Sequence, residues 1–66
     1  MIFVNGEPRE RDGATIAELL ADLGVEDRAR GVAVAVDGEV VPRGAWEATA
    51  VPEGAAVEIV TAVQGG

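Results

Sequence analysis

Thr15-Ile16-Ala17-Glu18 and the six residues after it limit the possible folds more than any other stretch of this chain. They read as a capping box: the Thr15 hydroxyl accepts from the Glu18 N–H, and the Glu18 side chain reaches back to the Thr15 N–H. Ile16, Leu19, Leu20 and Leu23 then recur at helical spacing and form one apolar stripe. Gly24 stands where a left-handed C-cap belongs. The spacing predicts a helix over residues 15–23. Burial of the four stripe residues, at about 1.5–3 kcal/mol each, is the main expected contribution to a core. Nine residues are too few for an isolated helix, so a sheet must cover the stripe. The whole chain is 66 residues without cysteine, hence one domain with no disulfide to reinforce it.

The rest of the chain supplies strands. Met1 to Val4 is a short apolar run, and Asn5-Gly6 is a two-residue hairpin signal that requires positive φ at both positions. Glu7 to Arg11 is the expected return strand, and Pro8 places it at a sheet edge. Asp12-Gly13 breaks it. Gly31 to Val36 alternates large and small residues, with Val32, Val34 and Val36 expected toward the helix and Ala33 and Ala35 outward. Asp37-Gly38 is a second hairpin turn, Glu39 to Val41 returns, and Pro42 ends that strand. Arg43 to Ala50 shows no period and reads as a loop that Trp46 anchors. Val51-Pro52-Glu53-Gly54 reads as a turn with proline second. Ala55 to Val63 is the expected final strand, with Val57 and Ile59 on the helix face and Glu58, Val60 and Ala62 on the other. If this strand lies parallel beside the first, the result is an α+β domain. It is the ubiquitin-like β-grasp, a mixed sheet of four to five strands with one helix across one face.

Composition narrows the function. The chain has no His, Cys, Ser, Tyr or Lys. That excludes His- and thiol-based catalysis and His/Cys metal sites. A domain this small also has little room for a substrate cleft. The expectation is a protein that is acted on, not an enzyme. A net charge of −7 opposes nucleic-acid binding and favours solubility and a partner with a basic surface. No apolar run is long enough to cross a bilayer, and the start has no signal-peptide pattern, so a cytoplasmic setting is expected with no membrane partner.

The sequence stops at Val63-Gln64-Gly65-Gly66, straight after the last apolar strand. A glycine pair makes a thin tail that can enter a narrow slot. A terminal carboxylate is anionic at neutral pH. The expected division is a domain over 1–62 and a tail over 63–66, whose four residues span about 13 Å when extended.

Taken together, Ile2-Phe3-Val4-Asn5-Gly6, Thr15-Ile16-Ala17-Glu18-Leu19-Leu20, Ala33-Val34-Ala35-Val36-Asp37-Gly38, Val41-Pro42-Arg43 with Trp46, and Gly65-Gly66 run the length of the chain. In these features it resembles the ThiS-type sulfur carriers of thiamine biosynthesis and, more distantly, the small subunit of molybdopterin synthase. The Val-Pro-Arg-x-x-Trp segment favours the thiamine branch. The resemblance implies that a ubiquitin-activating-like adenylyltransferase takes the tail. The Gly66 carboxylate is adenylated and then becomes a thiocarboxylate, with sulfur from a donor such as a cysteine desulfurase. Thiazole synthase accepts the sulfur. ATP and Mg belong to the activating partner, and this chain is expected to bind no cofactor or metal. Gly65 and Gln64 would thread the tail through the partner's channel. Phe3 either joins the core or, if it points away from the helix, forms an apolar partner surface with Val60 and Ala62. Trp46 reads as a structural anchor and Arg43 as solvated surface. Other readings are a carrier for molybdopterin, tRNA thiolation or cysteine synthesis, a β-grasp interaction module with an inert tail, or a protein conjugated like ubiquitin.

Overall fold

The computed structural model describes residues 1–25 and 31–61. In chain order the elements are β1 (Ile2–Val4), β2 (Glu7–Arg9), α1 (Ile16–Asp22), β3 (Val32–Val36), β4 (Glu39–Val41), a 3-10 turn (Arg43–Ala45) and β5 (Ala56–Thr61). The strands form one sheet in the order β2-β1-β5-β3-β4. β1 and β5 run parallel with Phe3 opposite Ala56 and Val4 opposite Val57, and the other neighbours are antiparallel. The last strand therefore occupies the middle of the sheet, and the helix covers one face. This is the expected β-grasp.

Both hairpin turns take the positive φ that their sequences require: Asn5 has φ 50° with Gly6 at 86°, and Asp37 has φ 51° with Gly38 at 84°. Pro8 lies on edge strand β2, where its missing N–H breaks no ladder. That strand ends at Arg9, two residues short of the expected Arg11, and β3 begins one residue late because Gly31 belongs to a turn.

The capping box is present: Glu18 N–H donates to Thr15 Oγ1 at 3.1 Å, and Thr15 N–H donates to Glu18 Oε1 at 2.9 Å. At the other end Gly24 donates to the Ala21 carbonyl at 3.1 Å and Val25 to the Leu20 carbonyl at 2.9 Å. These two bonds are a Schellman motif, with Gly24 at φ 78°. Ile16, Leu19 and Leu20 are buried with Ile2, Val4, Val34 and Val57 in one cluster, while Leu23 is only half-buried at its margin. Three of the four stripe residues are thus fully in the core. Replacing Thr15 by alanine should remove one half of the box and cost about 1 kcal/mol in chemical denaturation.

The segment Arg43–Ala50 differs most from its expected loop. It opens as a 3-10 turn and then runs across the start of α1. Ile16 N–H donates to the Thr49 carbonyl at 2.9 Å and Ala17 N–H to the Trp46 carbonyl at 3.2 Å. Together with the Thr15 hydroxyl, these bonds satisfy the first three N–H groups of the helix, which no helical carbonyl can reach. Trp46 is buried and its indole donates to the Val41 carbonyl at 3.0 Å, which makes it the anchor that was expected. Val51, fully buried, follows; its N–H donates to the Ala14 carbonyl at 2.8 Å. The next turn is one residue later than expected: Ala55 N–H reaches the Pro52 carbonyl at 3.2 Å, and Gly54 takes φ 82°. Proline therefore opens the hydrogen-bonded turn and is not its second residue.

Candidate functional site

Two structural features converge on the end of β5. One is the strand itself, which carries the chain from the middle of the sheet toward residues 62–66. The other is the sheet face opposite the helix. Alternation along β5 sends Val57 and Ile59 into the core side and Ala56, Glu58 and Val60 to the open side. The register then fixes who shares that face. Pro8, Phe3 and Ala56 form one row, Glu58, Ala35 and Val40 a second, and Val60 with Ala33 a third.

Three large apolar side chains on this face stand in solvent: Phe3 is 41% exposed, Val60 60% and Val40 70%. Phe3 is therefore on the surface and not in the core, because its neighbours Ile2 and Val4 take the inward positions of a three-residue strand. Alanines fill the ground between the large residues, so the face is low and smooth, as the outward Ala33 and Ala35 suggested. Glu58 is the charged residue of these rows. Phe3 and Val60 share the face but do not touch as a pair. Phe3 lies opposite Ala56, four residues before Val60, which separates them by about 13 Å along the strand. Val40 was not picked out as a surface residue in the sequence. Its signal was the two-residue turn Asp37-Gly38, which pairs it with outward Ala35. Ala62, Gln64, Gly65 and Gly66, the remaining expected site residues, lie outside the described residues.

Further contacts hold the 3-10 turn and the strand ends. Arg43 stacks on the Trp46 ring with its guanidinium carbon 5.1 Å from the centroid, so its expected role as plain solvated surface is replaced by a cation–π contact. Asp37 Oδ1 accepts from the Ala56 N–H at 2.9 Å, holding the start of β5. At the base of β1 the Met1 amino group donates to Asp12 at 2.8 Å. That bond and its charge pairing raise the amino group's pKa above its ordinary value and lower that of the Asp12 carboxyl. Among the described residues no three His, Cys, Asp or Glu side chains gather as a metal site, and no helix is long and apolar enough to cross a membrane.

The arrangement offers a smooth, largely apolar platform, with Glu58 as its charged residue, beside the end of a central strand. Known proteins match it along its length. The model of the ThiS family matches residues 2–66. The sulfur carrier protein ThiS of Thermus thermophilus is 39% identical over 71 residues, covering 100% of each chain. The crystal structure of the thiamine biosynthesis protein ThiS from Geobacter metallireducens superposes with a TM-score of 0.77 at 41% identity, covering 98% of this chain and 97% of that one. A solution structure of a thiamine biosynthesis protein from the same organism gives 0.74 at 43% identity, covering 98% and 86%.

Proposed function

The chain belongs to the ThiS family, and on that premise we propose that it carries sulfur for thiazole formation in thiamine biosynthesis as a C-terminal thiocarboxylate on Gly66. The observation that carries this reading is the full-length similarity to a sulfur carrier in a chain whose own sequence ends in Gly65-Gly66. A carboxylate is a poor electrophile. A ubiquitin-activating-like adenylyltransferase therefore binds the platform and takes the tail, residues 63–66, with Gln64 and Gly65 threading its channel. One oxygen of the Gly66 carboxylate attacks the α-phosphorus of ATP, held with Mg in the partner, and pyrophosphate leaves. The terminal sulfur of a persulfide on a donor such as a cysteine desulfurase then attacks the acyl-adenylate, and AMP departs. A thiol cleaves the resulting acyl disulfide, taking the donor sulfur into a new disulfide and leaving the Gly66 thiocarboxylate, whose sulfur thiazole synthase takes. The chain supplies the carboxylate, the reach and the docking face. The catalytic groups are the partners', and the setting is the cytoplasm.

The fold supports this division of labour. The strand that precedes residues 62–66 is held on both sides in the middle of a five-stranded sheet, which gives the carrier a fixed base. The face that carries Phe3, Val40 and Val60 is apolar enough to be buried against a partner. Incubation with the activating enzyme, ATP, Mg and a sulfur donor should shift the intact mass by the exchange of one oxygen for sulfur. An unmodified chain under conditions that load a known carrier would sink the proposal. The platform has its own test. Phe3→Asp and Val60→Asp should each weaken productive docking about tenfold, an effect of about 1–2 kcal/mol, as expected for a well-placed interface residue. The Val60→Asp midpoint should stay near the parent value, since that side chain is 60% exposed, whereas Phe3, 41% exposed, gives up covered apolar area and its variant should fall further.

A further inference from the structure

In the alternation of β5, Ile59 turns its N–H and C=O to the β1 side, as Val57 does. Val57 is met there by β1, its carbonyl accepting from the Asn5 N–H at 2.8 Å. Ile59 is not met by β1, because the chain has already turned back at Asn5-Gly6. A strand that continued straight would offer Ile59 the carbonyl of residue 5 and the N–H of residue 7. The Asn5 carboxamide stands in for both. Its Oδ1 accepts from the Ile59 N–H at 2.9 Å, and its Nδ2 donates to the Ile59 carbonyl at 3.1 Å. A side-chain amide thus replaces the peptide group of a strand that has left the sheet.

The other hairpin does the same job at the opposite end of β5 with different chemistry. Asp37 also holds the first turn position. Its backbone N–H donates to the Ala56 carbonyl at 2.7 Å, and its Oδ1 accepts from the Ala56 N–H at 2.9 Å. There the backbone supplies the donor, so the side chain needs only an acceptor and a carboxylate suffices. At Ile59 one side chain must be donor and acceptor at once, and of the two residues only Asn can be both.

We propose that Asn5 is a site of spontaneous hydrolytic deamidation whose product releases the end of β5 from the β1 side. The Gly6 nitrogen forms a bond to Asn5 Cγ, the Cγ–Nδ2 bond breaks, and the side-chain nitrogen leaves as ammonia with the Gly6 proton. Water then opens the cyclic imide to aspartate or isoaspartate, with no change of oxidation state. Glycine at position 6 leaves the attacking nitrogen unshielded by a neighbouring side chain. In the folded chain both bonds to Ile59 must break before Cγ can swing onto that nitrogen, so the fold protects the site. The product carboxylate has no proton to donate. It leaves the Ile59 carbonyl without its partner and sets a negative charge facing it. Each fraying event exposes the amide, and each conversion favours further fraying in the strand that leads to the C-terminal residues.

The test uses the full chain, aged at mildly alkaline pH in buffer and in urea, with peptide mass mapping at residue 5. The mass gain of an NH2-to-OH exchange should appear at least about tenfold more slowly in buffer, the ratio expected if the two hydrogen bonds must open first. Equal rates would overturn the protection. In hydrogen exchange, Asn5→Asp should raise the rate at the Ile59 amide about tenfold or more relative to that of Val34 on β3, while Asp37→Asn changes Ala56 by no more than about twofold. Asn5→Gly keeps the turn geometry without the charge and should reproduce the Ile59 effect. Unchanged Ile59 exchange in both Asn5 variants, or equal loss of protection at Val34, would overturn the local release.

Discussion

Deletion of Gly66 is expected to abolish sulfur loading while the domain stays folded. The core runs from Ile2 to Ile59 in sequence and is built from α1 and the inward face of the sheet. Shortening the chain by one residue removes none of that cluster. It does move the carboxylate back by about 3.3–3.6 Å along an extended tail. Attack on phosphorus needs the reacting atoms at about 3–3.5 Å, and a misplacement of 1 Å can already cost about a hundredfold. The new Gly65 carboxylate would therefore sit a full residue short of the α-phosphate. ATP–pyrophosphate exchange with the activating enzyme should drop by more than that factor, and no thiocarboxylate should appear in the intact mass. The thermal unfolding curve should overlay that of the parent. Loading at the parental rate would show that the terminal position is not read. A lowered unfolding midpoint would show that the last residue is part of the fold.

The second large effect is on stability. Leu20 is 2% exposed and packs in the cluster that joins α1 to β1, β3 and β5. Leu20→Ala should cost about 2–5 kcal/mol, the range for emptying a leucine-sized site in a packed core. At about 0.05–0.15 kcal/mol per residue a domain of this size has only about 3–10 kcal/mol in all. The substitution therefore removes a large share, and the midpoint should fall by about 4–8 °C for each kcal/mol. α1 has seven residues and cannot persist without its packing, so its loss should be cooperative with that of the sheet. The variant should still be loaded in the cold, where enough of it is folded, and fail on warming. A measured loss well under about 1 kcal/mol would mean that the stripe is not what closes the core.

Much of the fold was legible because its signals are local. Positive φ at Asn5-Gly6 and Asp37-Gly38, the Thr15/Glu18 box and the Gly24 cap are each decided within a few residues by backbone sterics and short hydrogen bonds. The parallel partnership of β1 and β5 was only a condition in the sequence, and the register of Phe3 with Ala56 and Val4 with Val57 fulfils it. Less legible were residues whose state depends on distant chain. Phe3 is apolar and could have gone either way. Only the pairing of β1 on one side with β2 and on the other with β5 shows that Ile2 and Val4 fill the core and leave it outside. The Arg43–Ala50 stretch has no period because it packs along no single element; its backbone carbonyls are spent on the helix start. Val51 is fully buried for the same reason, in a segment that carries no strand or helix pattern.

From its own residues the chain determined that it would form a capped helix over a hairpin-built sheet and that it would hold no His, Cys, Ser, Tyr or Lys side chain. These depend on covalent identity and on interactions a few residues long. Tertiary structure alone decided which face Phe3, Val40 and Val60 share, what satisfies the first N–H groups of α1, and that the Asn5 amide completes the ladder at Ile59. Each of those joins groups distant in sequence, 54 positions apart for Asn5 and Ile59, and no local energy term distinguishes the partner until the sheet order brings it into place.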